Sequence, residues 1–496
     1  MRPQEPVPPT DLLATLPARH GPALVAPDGG WALDHPDLLE RVDALAVQLR
    51  TVGVEPGNAV AMVLEHGPEG VLAFLAAVRL NAVAIPLNPR LRSHEMEAAF
   101  GARLPSIVLV GEDGSSAASE AARAAGVPVR VLTSGPRAAL QGAPGKTAPL
   151  PDGDPDAVAL LLHTSGTTSR PKAVPLRQRN LAATALAIAR GYGLGEQDAS
   201  YCLMPLFHVH GLVASTLAAL AGGGAVVVPS RVRPSALWDH IAAGRVTWLS
   251  AVPTILAKLP AANGAPAPLR FARSCSSALN PHLWMTLEDR LAAPVVEAYG
   301  MTEASHQMAS NPLPPGERRP GTVGLPAGAE VAAIDADWAP VPTGDPGEVA
   351  VRGPGVVDEY LGNEEANLAS FRDGWFRTGD LGRLSDDGYL TLEGRIKELI
   401  NRGGEKIAPR EIDEALLAHG CVREAVAFGR PDAKWGEVVE AVVSLDGAVE
   451  SSELLAHCAE RLAPFKVPRR LHVVDEIPRS ATGKVQRRIL AEALDR

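Results

Sequence analysis

The sequence predicts an α/β protein: a large N-terminal domain of two doubly wound α/β subdomains plus a small β-rich subdomain, followed by a small α+β C-terminal domain. Three observations carry this. Apolar runs of strand length alternate with helix-period segments as far as residue 320, the pattern of parallel strands covered by helices. From 321 to 395 the helical period fades and short strand patterns with Gly/Asp turns take over, and from 396 a separate mixed pattern begins. At 496 residues the chain is also too long for one core. The expected boundaries are 1–395 and 396–496.

In order along the chain, 38–49 is amphipathic and helical, 59–64 strand-like, 71–80 helical and 82–86 a short strand. Residues 107–110 and 129–132 add apolar strands, and the Gly/Pro-rich 133–156 reads as a surface connection. The run 157–162 reads as a buried strand. Beyond it, 181–190 is helical and 201–205 a strand, ending at Phe207-His208-Val209-His210-Gly211. Residues 211–229 carry no charge, which raises a membrane span, but Gly222-Gly223-Gly224 divides them into a helix-like half and a strand-like AVVVP. They therefore predict a buried helix and then a buried strand. A helix at 237–243 and strands at 247–252, 269–273 and 295–299 follow. The tail shows strands at 424–429 and 437–445 and a helix at 452–462. Polar loops leave the ends of four of these strands, and ligands of open α/β sheets bind at such carboxyl ends. One shared cleft is expected.

Bulk composition excludes several classes. Apolar content of 46% with 21% charged residues describes a soluble globular chain, and a net charge of −10 argues against nucleic-acid binding. The four cysteines (Cys202, Cys275, Cys421, Cys458) are far apart and form no C-x-x-C pair. They suit a reducing, cytoplasmic setting and neither a zinc site nor a disulfide framework. The proline-rich, early-acidic start is no signal peptide, and the final ALDR is no peroxisomal tripeptide. No membrane partner is expected, and a monomer or homodimer is.

The chemistry concentrates in 160–174, LLLHTSGTTSRPKAV. A buried strand runs into Thr164-Ser165-Gly166-Thr167-Thr168-Ser169, closed by Arg170, Pro171 and Lys172. Glycine lets backbone approach a ligand, N–H groups and hydroxyls donate, and Lys172 adds a point charge, so the loop can wrap polyphosphate. It is not the G-x-x-x-x-G-K-[ST] loop. The plainer alternative, a Ser/Thr-rich surface turn, is weakened by five hydroxyls in six positions sealed by Pro-Lys.

HTSGTTSRPKAV (163–174), AYGMTEA (298–304), GWFRTGDLG (374–382), GRIKELINRGGEKI (394–407) and PRSATGKVQRRIL (478–490) occur in this order. Together they resemble the acyl-adenylate-forming family of acyl-CoA synthetases, luciferases and peptide-synthetase adenylation domains, over nearly the whole chain. The resemblance implies ATP, CoA and a small carboxylic acid as substrates with Mg²⁺ as cofactor. Thr164, Ser165, Gly166, Thr167, Thr168 and Lys172 would hold the β- and γ-phosphates, although Ser169 and Ala173 replace the usual glycines. Glu303 would bind Mg²⁺ and Thr302 a phosphate oxygen. Read alone, that pair would be an ordinary helix start. Tyr299 would stack on adenine, in the segment Glu297-Ala298-Tyr299-Gly300, with Ser276, Ser277 and Ala278 on the other side of the base. Asp380 would accept the ribose hydroxyls and Arg395 would reach ribose or phosphate. Outside the motif each would read as a solvated turn acid or a surface ion pair. Lys484 would stabilise charge at the α-phosphate as the carboxylate attacks. With eight lysines among 47 basic residues, Lys172 and Lys484 run against a bias to arginine. Lys397 matches the hinge about which a mobile C-terminal domain turns, and Gly403 and Gly404 would face the pantetheine channel of CoA. Asn401 stands where some relatives have lysine and receives no role.

The family leaves the acid open. After Thr302-Glu303 comes Ala304-Ser305-His306-Gln307-Met308, Phe207–His210 supplies two more histidines, and Ser274-Cys275-Ser276-Ser277 replaces a common Gly-Ala-Ala type of segment. A lone histidine is usually structural, but three with serines would be costly against a fatty tail. They suit a small acid with a second anionic group. RSCSSAL (273–279) with AYGMTEASHQMASNPLPPG closely resembles the oxalate–CoA ligase branch. Oxalate is therefore expected, with His306, His210 and Ser276 facing its distal carboxylate and His208 as an aromatic gate beside the α-phosphate. Malonate or a coumarate are the alternatives, as is a stand-alone adenylation protein that loads a carrier.

Overall fold

The computed structural model describes residues 10–479 apart from 18, 144–146, 165–171, 233–235, 245 and 261–268, together with 485, 487, 490, 491 and 494. Among these, the strands form four sheets. One has six strands in the order Val129–Val131, Pro105–Val110, Ala59–Val63, Val83–Pro86, Val158–Thr164 and Lys172–Arg177. All neighbouring pairs but the last are parallel. Both faces are covered, which is why the strands read as unbroken apolar runs. Val60 and Met62 pack into a core with the helices His35–Thr51 and Pro68–Arg79, while Ala59, Ala61 and Val63 pack against Ser93–Ala102 and Ser116–Ala124.

The last strand was not legible as one. Lys172–Arg177 returns antiparallel beside Val158–Thr164, pairing Thr164 with Lys172. An antiparallel reversal needs only a short loop, whereas a parallel crossover needs a dozen residues or more. Pro175, which argues against a strand, is tolerated because this strand forms the sheet edge.

The second sheet runs Leu325–Pro326, His306–Ser310, Val295–Met301, Phe271–Ser274, Trp248–Ala251, Ala199–Cys202, Ala225–Val227, Pro22–Ala26 and Trp31–Asp34. Its middle is parallel and its edges antiparallel. The N-terminal hairpin therefore belongs to this sheet and not to the unit that follows it in sequence, with Leu24 and Val25 paired to Val226 and Val227. The uncharged stretch forms a π-helix (His210–Leu217), a short α-helix (Ala218–Ala221) and the strand Ala225–Val227. Side chains support the wide helix: Thr216 Oγ1 donates to the Gly211 carbonyl at 2.9 Å and Ser215 Oγ to that of His210 at 3.3 Å. No described helix is long and apolar enough to cross a membrane.

The third sheet is antiparallel throughout: Glu330–Ile334, Gly347–Arg352, Trp375–Leu384 and Phe371–Arg372, with Leu390–Arg395 also on Trp375–Leu384. It is the expected β-rich unit. A 3₁₀ turn, Ile396–Glu398, leads to the fourth sheet, ordered Glu405–Ile407, Ile400–Arg402, Gly436–Leu445 and Val422–Asp432, with Arg470–Val473 parallel to Gly436–Leu445. The helices Pro409–Leu417 and Ser451–Ala459 bury Ile412, Leu416 and Leu454 in its core. All four cysteines are free thiols.

Candidate active site

In the second sheet the chain leaves Ala199–Cys202, adds Ala225–Val227 on one side and then Trp248–Ala251 on the other. Such a reversal of strand order opens a crevice at the carboxyl ends. Phe207 and His208, whose rings lie 4.7 Å apart, and the start of the π-helix at His210 occupy that end. Gly211 is required there, since a Cβ would come within 2.3 Å of the Met204 carbonyl oxygen. The loops after Phe271–Ser274 and Val295–Met301 leave the same edge.

One cluster gathers the residues assigned to the nucleotide. Thr164 ends its strand and Lys172 begins the return. The Lys172 ammonium lies 4.2 Å from the centre of the Tyr360 ring, a cation–π contact. Burial lowers the pKa of Lys172, the Glu303 carboxylate opposes that, and the nearby Lys397 adds to it. Tyr360 donates its hydroxyl to Glu303 Oε1 at 2.9 Å. Glu303 lies buried in the 3₁₀ turn Thr302–Ala304, whose first residue is Thr302. Farther along, Arg395 Nε forms an ion pair with Asp380 Oδ1 at 2.8 Å, and the Tyr299 hydroxyl donates to Asp380 Oδ2. Burial, then Asp380, pushes the Tyr299 phenol up, so it stays a donor. The charges of Glu303 and Asp380 both act on Arg395. Lys172, Glu303, Asp380 and Arg395, from four separate motifs, thus share one electrostatic neighbourhood.

Glu297 and Gly300 have structural duties in that cluster. Glu297 is fully buried, its Oε1 accepts the Leu279 N–H at 2.9 Å, and it thereby holds the loop that carries Ser276, Ser277 and Ala278. Burial pushes its carboxyl up to about 7 against the field of Arg410. Ala298 is buried in the strand beside it. At Gly300 a Cβ would stand 2.1 Å from the His306 carbonyl oxygen.

A second cluster adjoins the first. His210 Nδ1 lies 3.1 Å from Ser276 Oγ and its Nε2 lies 2.7 Å from Ser250 Oγ. The His210 and His306 rings are 5.0 Å apart. Ser276, Ser305 and His306 take positive φ of 73°, 55° and 136°, backbone that L-residues adopt only under constraint. The three predicted acid-site residues therefore stand together. Sequence reasoning missed what lies beneath them. Arg273, with no exposed surface, reaches Ser250, His306, Gln307 and Tyr192. Its signal was present, an arginine in a strand flanked by apolar ones, where charge is normally excluded. Tyr360, which joins Lys172 to Glu303, had no signal in the sequence.

Ser165, Gly166, Thr167, Thr168 and Lys484 lie outside the described residues. Lys397 is exposed in the 3₁₀ turn between the third and fourth sheets. Gly403 and Gly404, with φ of 62° and 97°, form the two-residue turn of the hairpin Ile400–Arg402/Glu405–Ile407, a geometry that demands glycine whatever binds nearby.

Comparison with known proteins adds independent findings. The profile of the AMP-binding enzyme family matches residues 17–361, and that of the AMP-binding enzyme C-terminal domain matches 411–484. An oxalate–CoA ligase of Arabidopsis thaliana is 43% identical over 482 residues, 94% of either chain. A sulfoacetate–CoA ligase of Cupriavidus necator is 40% identical over 475 residues, 94% of this chain and 93% of that one. ATP-bound MatB from Rhodopseudomonas palustris superposes with a TM-score of 0.89 at 31% identity, covering 97% of this chain and 98% of the other.

Proposed function

We propose that this chain, which belongs to the AMP-binding enzyme family and is an AMP-forming acid–CoA ligase, takes oxalate as its acid. The observation that carries the proposal is the cluster of His210, Ser276 and His306 over buried Arg273. A fatty tail would leave those groups desolvated and unmatched. A second carboxylate matches them with hydrogen bonds. The two CoA-ligase relatives support the reading, because oxalate and sulfoacetate are both short acids with a second anionic group.

In this reading Thr164, Ser165, Gly166, Thr167, Thr168, Thr302 and Lys172 hold the phosphates. Asp380 and Arg395 hold the ribose, and Tyr299 with Ser276, Ser277 and Ala278 borders the base. One oxygen of the acid forms a bond to the α-phosphorus and pyrophosphate leaves, with Lys484 stabilising the developing charge. The CoA sulfur then attacks the acyl carbon and AMP leaves. His208 closes the site beside the α-phosphate. Lys397 is the hinge between domains 1–395 and 396–496, and Gly403-Gly404 approaches the pantetheine arm in the second step. The break between the third and fourth sheets at residues 396–399 supports that boundary.

A magnesium ion suits the donor set of buried Glu303 beside Thr302. No group of three or more His, Cys, Asp or Glu stands together among the described residues, so triphosphate oxygens would complete its shell. Bound there, the ion would offset phosphate charge.

Pyrophosphate release across an acid panel tests the assignment. Oxalate should exceed malonate by about tenfold or more in kcat/KM, since one methylene is worth ~10–200-fold in a fitted pocket. Coumarate or octanoate should be turned over far more slowly. A preference for either of those two overturns the proposal.

A further inference from the structure

Arg273 is a fully buried cation, and no ion pair joins it to a carboxylate among the described residues. None of its partners is a carboxylate: the Tyr192 hydroxyl at 3.0 Å, Ser250 Oγ at 3.1 Å, Gln307 Oε1 at 3.1 Å and His306 Nδ1 at 3.3 Å, with the Cys275 thiol also acting on it. A charge buried without a counter-charge is costly, so its retention calls for a cause.

The hydrogen-bond directions supply one. A guanidinium has donors only. The contact to His306 Nδ1 therefore makes that nitrogen an acceptor, so His306 is neutral with its proton on Nε2. Ser250 Oγ accepts from Arg273, and its own single proton has one acceptor in reach among the described residues, His210 Nε2 at 2.7 Å. His210 then carries its proton on Nδ1 and donates it to Ser276 Oγ at 3.1 Å. The half-buried Ser276 hydroxyl is left to donate outward. Every bond in the chain Arg273→Ser250→His210→Ser276 points the same way, towards the surface of the site. Aligned bonds of this kind polarise one another in a low-dielectric interior.

We propose that Arg273 is a positioning residue for acid selection: it locks His306 and His210 as opposite neutral tautomers, so that the His306 Nε2–H and the Ser276 hydroxyl, the latter aligned by His210, are the donors turned towards the acid, and it takes its counter-charge from the acid's second carboxylate. The proposal rests on the acid-site reading above and adds to it the residue that makes two histidines and a serine into donors. The strained φ of Ser276 and His306 fits such a role, since both are held where relaxed backbone would not place them.

The test uses the full-length enzyme and the substitutions Ser250→Ala and Arg273→Lys. Ser250→Ala removes one hydroxyl and breaks the chain with Arg273 left in place. Arg273→Lys keeps the charge but loses the fork. Each should raise the KM for oxalate by about tenfold, ~1.4 kcal/mol of binding, while the KM for ATP and kcat stay within about threefold. Histidine side-chain ¹⁵N spectra of the acid-free enzyme give the independent readout. Wild type should show one Nδ1–H ring and one Nε2–H ring that respond to these substitutions, Ser250→Ala shifting the first alone and Arg273→Lys both. Should Arg273→Lys fail to fold, Ser250→Ala decides. Equal effects on the oxalate and ATP constants, or unchanged histidine spectra, overturn the proposal. If wild type rejects oxalate while the spectra respond as stated, the substrate assignment falls and the tautomer lock stands.

Discussion

Glu297 shows how a single buried group sets a pH dependence. Burial raises its carboxyl from an ordinary 4.5 to about 7, and the nearby Arg410 only partly offsets this. Between those values the folded chain binds more protons than the unfolded one, so stability falls as pH rises through the window and stays reduced above it. A shift of that size corresponds to about 3 kcal/mol at ~1.4 kcal/mol per pKa unit. Glu297→Gln keeps an acceptor for the Leu279 N–H and removes the charge. It should raise stability by up to about 3 kcal/mol at pH 8 and change it little at pH 4.5, read from denaturation of the full chain at both values. Equal effects at both would mean that Glu297 is not the titrating group. At this scale, the legible residues were those in loops at strand ends, where hydroxyls, glycines and one lysine have few structural reasons to cluster. Ser250 and Tyr360 were illegible, and Arg273 signalled only a buried charge, because their roles depend on which segments become neighbours. Phe271–Ser274 lies beside Trp248–Ala251, and nothing within either segment announces it.

At the scale of elements, the hairpin Val295–Met301/His306–Ser310 places Glu303 and His306 with one turn. Its register shifts between Tyr299 and Gly300, and the Gly300 backbone passes so close to His306 that any Cβ would stand 3.0 Å from the ring Nδ1 as well as 2.1 Å from the carbonyl. Backbone cannot rotate away as a side chain can. Gly300→Ala should cost about 1–3 kcal/mol, the range for overpacking, and raise the KM for the acid more than that for ATP. Thermal denaturation and steady-state kinetics on one preparation check both. An alanine variant with wild-type stability would show that the approach relaxes freely. The same hairpin explains a missed strand. His306–Ser310 looks polar and carries no strand pattern, yet all five residues are buried, because the strand faces the acid cluster on one side and the core on the other. The parallel strands were legible because their apolar runs answer to two buried faces at once. The return strand Lys172–Arg177 was hidden by Pro175.

Across the whole molecule, on the proposed reading two chemistries share one acid site with different neighbours, and the chain between the third and fourth sheets is assigned as the joint that exchanges them. The 3₁₀ turn Ile396–Glu398 joins the two sheets, and beside it Arg410 of the fourth-sheet domain donates to the Leu392 carbonyl at 2.7 Å. Lys397 sits inside that turn, and since residues of a 3₁₀ turn typically take φ of about −50 to −70°, proline, fixed at about −65°, suits this orientation and resists another. Lys397→Pro should therefore leave one half-reaction intact and slow the other by about tenfold or more, as a gating substitution does. On the proposed reading, Lys484→Ala removes charge from the adenylation step alone. Adenylate formation, read as ATP–pyrophosphate exchange, should fall by about 10²-fold, the scale of losing one preorganised electrostatic contact. Thioester formation from a supplied acyl-adenylate should survive. The two variants separate geometry from charge, since a hinge defect follows orientation and a lysine defect follows the α-phosphate. If either substitution slows both half-reactions equally, the two steps run in a single arrangement of the domains, and the alternation assigned to Lys397 is wrong.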